Sequence, residues 1–131
     1  MVKTFRFLSR HVRSLAGLAL GAALVAIFVG GAQPFAVNLI PSPWDKFAHV
    51  AVFAGLGTVC GIAFGIRNAS VVFLAAASSL CIGALDEWHQ AMLPGRNAGW
   101  DDFVADAVGA LIAAFLVRHL RAVLRKQSTG L

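Results

Sequence analysis

A chain of 131 residues that is 59% hydrophobic and 13% charged, with a mean hydropathy of +0.78, is too apolar for a soluble domain, in which about 25% of residues carry charge. Eleven basic against six acidic residues leave a net charge of +5. That excess marks membrane topology and not nucleic-acid binding, because assigning the apolar runs to a bilayer leaves no soluble basic surface.

Taken in chain order, the first apolar run, SLAGLALGAALVAIFVGGAQ, follows a basic lead. Its core is longer than the roughly 7 to 15 residues of a secretory signal peptide, so a retained helix over about 14–32 is expected. Gly17 and Gly21 on it would allow another helix to come close. The stretch QPFAVNLIPSP that follows holds three prolines and reads as a bent segment at the outer interface, with Trp44 as an anchor.

A second helix is expected over about 44–66. Ser42 or Asp45 can cap its start, where a negative charge suits the helix dipole. His49 stands one turn further in, on the face of Asp45. Gly57, Gly61 and Gly65 repeat every fourth residue as a smooth packing stripe. The third helix, about 68–91, has the small-residue interior AAASSLCIGA, and Cys60 and Cys81 sit at depths that argue against a disulfide. After an outer loop at 92–99 carrying Pro94, Gly95 and Arg96, a fourth helix is expected over about 100–121.

The fold class is therefore an all-α integral membrane bundle of four transmembrane helices, a single membrane domain over 1–131, with the lipid bilayer as its surroundings. Lys3, Arg6, Arg10, Arg13, Arg67, Arg118, Arg121, Arg125 and Lys126 fall on one side, which the positive-inside rule assigns to the cytoplasm together with both termini. Lys46, Arg96 and all six carboxylates fall on the other side.

Those carboxylates lie in two places: Asp45 within WDKFAH, and the other five between Leu85 and Gly109. Asp86 and Glu87 stand near the carboxyl end of their helix, where the dipole disfavours negative charge, so they need partners, and Arg96 is the expected counter-ion. Asp102 and Asp106 share one helix face with Gly109 and Ala113, whereas Asp101 points away and is expected to be a helix-start charge in water.

Together Asp45, Lys46, His49, Asp86, Glu87, Gln90, Pro94, Gly95, Arg96, Asp102, Asp106 and Gly109, at these spacings, resemble the VanZ-like family of bacterial membrane proteins, across the second to fourth helices. The resemblance implies a small multi-pass protein of a family named for a teicoplanin-resistance protein, with no established biochemical activity. Family members usually place a Ser two or three residues after the Arg; here Ala98 and Gly99 stand there, so a role for that hydroxyl does not transfer.

Three functional classes follow. The first is a site at the outer face of the bacterial inner membrane for a polar or anionic cell-envelope ligand, such as a cell-wall lipid intermediate or a glycopeptide. Its candidate residues are Asp45, Lys46, His49, Asp86, Glu87, Gln90, Arg96, Asp102 and Asp106, with Arg96 and Lys46 as anion contacts. The second is a membrane-embedded hydrolase or transferase, with His49, Asp86 and Glu87 as catalytic candidates and His89 and Asp102 as additional metal ligands. No metal-binding motif of the HExxH type is present, and no resident metal or cofactor is assigned. The third is a structural ion-pair network.

Overall fold

The structure, a computed structural model, describes residues 2–66, 68–96 and 98–129. Arg67, one of the basic residues assigned to the cytoplasmic side, lies outside the described residues.

Four helices dominate: α1 (Val2–Val25), α2 (Trp44–Phe64), α3 (Val71–Ala91) and α4 (Trp100–Thr129). α1 continues through a π-helical turn, Ala26–Gly30, and a 3-10 turn at Pro34–Ala36 lies in the segment leading to α2. Four of these stretches, Arg10–Gly30, Trp44–Phe64, Val71–Ala91 and Trp100–Gln127, are long and apolar enough to cross a membrane. The chain is a multi-pass membrane protein.

The helix limits differ from the sequence expectation where local chemistry differs from charge spacing. α1 starts at Val2 and not near 14, since neither Gly nor Pro interrupts the basic lead and Lys and Arg are good helix formers. α4 runs on to Thr129 and not to about 121, because RAVLRKQST again contains no breaker. α2 stops at Phe64, where Gly65 takes φ +96°, a left-handed conformation that glycine adopts without steric cost. Gly65 is thus a helix terminator, not the third member of a packing stripe.

At that terminus Arg13 of α1 takes over the exposed carbonyls. Its Nε donates to Ala63 O at 3.0 Å and its Nη2 to Phe64 O at 3.4 Å. A cation at the carboxyl end of α2 also opposes the negative end of the dipole.

Helices α2, α3 and α4 form the packed unit, and α1 lies beside α2. Bare glycines set the close approach. A Cβ on Gly57 would stand 2.6 Å from Ala113 Cβ, one on Gly61 2.6 Å from Val117 Cγ2, and one on Gly109 2.7 Å from Val50 O. All three separations are too short for a side chain, so backbone meets neighbour directly, as in small-residue contacts between membrane helices. Phe53, Leu56, Cys60, Ala75, Ala110 and Val117 fill the interior. Within it Ser79 Oγ donates to Phe53 O at 2.8 Å, satisfying a hydroxyl that would otherwise be costly.

Gly17 and Gly21 meet nothing within 4 Å, so the close contact expected of them is not made among the described residues. Cys60 is buried and Cys81 exposed, and both thiols are free. Trp44, Trp88 and Trp100, all the tryptophans of the chain, are exposed near one end of the bundle.

Candidate functional site

α2 and α4 begin where α3 ends. Hence Asp45, Lys46 and His49 in the opening turns of α2, Asp86, Glu87 and Gln90 in the closing turns of α3, and Asp101, Asp102 and Asp106 in the opening turns of α4 share one end of the bundle.

Lys46 is the hub of the outer layer. Its Nζ lies 2.9 Å from Asp45 Oδ2 and 2.9 Å from Asp101 Oδ2, and it also contacts Asp102 Oδ1. The Asp101 side chain is exposed, as expected, yet it is paired with Lys46 and not simply hydrated. Asp45 does suit the helix start: its Oδ1 accepts the Lys46 backbone N–H at 2.9 Å, while Pro43, the residue preceding the helix, has no side-chain cap.

One turn inward His49 connects α2 to α4. Its Nδ1 lies 2.7 Å from Asp106 Oδ1, and its Nε2 lies 4.0 Å from Asp102 Oδ1. Asp106 is wholly buried, and its second oxygen, Oδ2, has no hydrogen-bond partner among the described residues. Gly83 of α3 makes room for that carboxylate, since a Cβ there would stand 2.9 Å from Asp106 Oδ2.

The α3 carboxylates are held otherwise than expected. Buried Asp86 accepts a hydrogen bond from Gln90 Nε2 at 2.9 Å, within its own helix. Glu87 Oε2 accepts the Gly99 N–H at 2.9 Å, and its Oε1 is buried without a partner among the described residues. Among the described residues no carboxylate lies within ion-pair distance of Arg96; its Nη1 instead donates to Ala36 O at 2.8 Å, and its Nε is buried without a partner. The turn at Gly95, with φ +76°, carries the guanidinium to the Pro34–Ala36 turn and not back over the end of α3. A carbonyl is chemically able to take that donor, but nothing in the spacing of Ala36 announces it.

A cleft of about 870 Å³ opens beside these groups. Asp45, Lys46, His49, Asp86, Gln90, Arg96, Asp101 and Asp102 contribute its polar wall, and Ile27, Phe35, Leu39, Ile40, Val52 and Phe53 its apolar wall. Glu87 faces a smaller depression with Trp88, Gly99, Trp100 and Phe103, and Asp106 lines neither. His89 turns from the cluster to pack edge-on against Phe28, with ring centroids 5.4 Å apart, so it is not a member of the polar group. The part of the apolar wall supplied by the turn after α1 and the proline-rich segment was not legible in the motif spacing.

The comparison with known families decides the chain's kinship: the family described as VanZ/LLP1 matches residues 5–123. The chain belongs to the VanZ/LLP1 family. The match takes in α1 and the proline-rich segment as well as α2 to α4, so both walls of the cleft belong to the matched region of this VanZ/LLP1 protein. No curated relative and no solved structure matches the chain.

Proposed function

We propose that this VanZ/LLP1 protein binds an anionic, polar-headed lipid of the cell envelope, of the class of cell-wall lipid intermediates, at the outer face of the bacterial inner membrane. The reading rests chiefly on Arg96. Its guanidinium lines the cleft with Nε buried and without a partner among the described residues, and a planar fork of donors matches a phosphate or carboxylate bidentately. Lys46 serves this purpose less well, since three carboxylates already hold its ammonium. Asp86 and Gln90 offer acceptors and an amide for hydroxyl groups beside the anion, and the apolar wall suits a lipid tail.

A polyprenyl phosphate added to the purified chain in nanodiscs tests the proposal. Saturable binding to wild type, lost in Arg96→Ala and kept in Arg13→Ala at the far end of α2, is expected. Equal binding by wild type and Arg96→Ala overturns it. Teicoplanin susceptibility of cells expressing the two chains examines the glycopeptide alternative: a change that follows Arg96 without any binding of the lipid phosphate favours that ligand.

A second reading has its own observation. Lys46 ties Asp45 of α2 to Asp101 and Asp102 of α4, which is the arrangement a structural network requires. For hydrolysis or group transfer the stretch between Asp86 and Asp106 offers no Ser or Cys, which leaves His49, the carboxylates and Ser42 of the cleft lining as the groups such chemistry would use.

A further inference from the structure

The polar end of the bundle has more negative charge than its own cations meet. Lys46 contacts Asp45, Asp101 and Asp102, and His49 contacts Asp106. Asp86 and Glu87 touch no cation among the described residues, their hydrogen bonds coming from Gln90 and the Gly99 backbone. Two carboxylate oxygens, Glu87 Oε1 and Asp106 Oδ2, are buried with no hydrogen-bond partner among the described residues. Buried charge in this condition is unfavourable unless it is paired or coordinates a metal.

The two carboxylates that carry these oxygens belong to one constellation. A ring nitrogen of His49 and one carboxylate oxygen each from Glu87 and Asp106 all lie within 4.8 Å of one another. They come from three different helices, α2, α3 and α4. Gly83 precedes Glu87 by one turn on α3, and its missing side chain is what admits the Asp106 carboxylate toward that helix face.

We propose that His49, Glu87 and Asp106 form a binding site for a divalent metal ion. A neutral imidazole with two carboxylates is a donor set suited to zinc or manganese, and a dication cancels the charge of the two acids. Ligands at about 2.1 Å from an ion stand about 3 to 3.5 Å apart, so closure around it requires side-chain movements on the order of an ångström. Three protein ligands also leave a coordination position open, as in catalytic rather than structural sites. The linear sequence hides this set, since donors separated by 38 residues (49 to 87) and 19 residues (87 to 106) form no motif of fixed local spacing. The proposal does not depend on the lipid reading of the cleft, because ion binding is measured with no lipid phosphate present.

The test uses the full chain in detergent, freed of any affinity tag, stripped with chelator and titrated with Co2+, Zn2+ and Mn2+ separately. Saturable binding of one ion per chain is expected, with the Co2+ absorption of a nitrogen and oxygen ligand field. Glu87→Gln and Asp106→Asn should weaken binding by more than about a hundredfold, the upper range for loss of a mere supporting group, while His89→Gln leaves it unchanged. Absence of stoichiometric binding for all three ions overturns the proposal, and so does undiminished binding in a folded Asp106→Asn chain. Should those variants fail to fold, the electron paramagnetic resonance of Cu2+ bound to the wild-type chain decides. Hyperfine coupling from one imidazole nitrogen supports the site, whereas none, or two, overturns it. A proton shared between Glu87 and Asp106 in place of an ion gives the first overturning result, no metal bound.

Discussion

His49 Nδ1 and Asp106 Oδ1 stand 2.7 Å apart across the contact between α2 and α4, and Asp106 is wholly buried there. No other side chain in hydrogen-bonding contact with the Asp106 carboxylate is found among the described residues. His49→Leu therefore strands a buried carboxylate, at a cost on the order of 3–5 kcal/mol for breaking a buried pair from one side. Adding Asp106→Asn, which removes the charge and keeps the shape, should recover part of that loss. Unfolding of the four chains of this double-mutant cycle in detergent gives the coupling. Additive losses would show that the two groups do not act as a pair.

Arg96 should behave as a loop tie and not as the partner of Asp86. Its bond to Ala36 O joins the outer turn after α3 to the proline-rich segment before α2. Loss of a hydrogen bond involving a charged group costs about 1.5–3 kcal/mol, so Arg96→Ala should lower stability by that order. Asp86→Asn, by contrast, should combine with it additively to within about 0.5 kcal/mol, as residues without direct contact do. A coupling well above that value would restore the direct ion pair expected from sequence.

Charge accounting explains why the class of fold was legible and this contact was not. The uncharged stretches 14–44, 47–66 and 68–85 place three spans, and the apolar run 107–117 places a fourth once the polar start of α4 is included, because a bilayer penalises charge wherever it occurs and needs no partner to do so. The site was legible to the same extent: carboxylates confined to one end had to meet cations, and Lys46 and His49 meet three and one of them. Which acid meets which cation depends on helix rotation and loop direction. Arg96 could be placed near the end of α3 by its position, but the turn at Gly95 sends its guanidinium to a backbone carbonyl, and a carbonyl has no sequence signature. The glycines divide in the same way. Gly57 and Gly61 pack as their spacing suggests, while Gly65, in the same register, takes a left-handed conformation and ends the helix.

Close packing at Gly57 gives a stability prediction independent of the polar site. A Cβ at that position would stand 2.6 Å from Ala113 Cβ and 3.1 Å from both Ala75 O and Ser79 Cβ, so α2 would have to move away from two helices at once. Overpacking of this kind costs about 1–3 kcal/mol. Gly57→Ala should lower the unfolding temperature in detergent, and Ala113→Gly in the same chain should return a fraction of it by removing the nearest clashing methyl. No recovery would indicate that the α3 backbone, and not α4, limits the approach.

The two ends of the bundle differ enough to predict its orientation. Arg13 caps the carboxyl end of α2 through Ala63 O and Phe64 O, and Arg10, Arg118, Arg121, Arg125 and Lys126 occur in the α1 and α4 stretches toward that end. The opposite end holds all six carboxylates, Lys46 and Arg96, together with the exposed Trp44, Trp88 and Trp100 that suit a membrane interface. Basic residues near span ends are retained on the cytoplasmic side, whereas acids count for little in that choice. Both termini are therefore expected in the cytoplasm, with the 33–43 segment and the 92–99 loop outside. Replacing Cys60 and Cys81 by Ala and introducing a single Cys at Gln127 or at Ser42 makes the orientation measurable with a thiol reagent that does not cross membranes. In intact cells Ser42→Cys should react and Gln127→Cys should react only after the membrane is opened. The reverse pattern would invert the topology and move the Arg96 cleft to the cytoplasmic face, where an outer-face envelope ligand could not reach it.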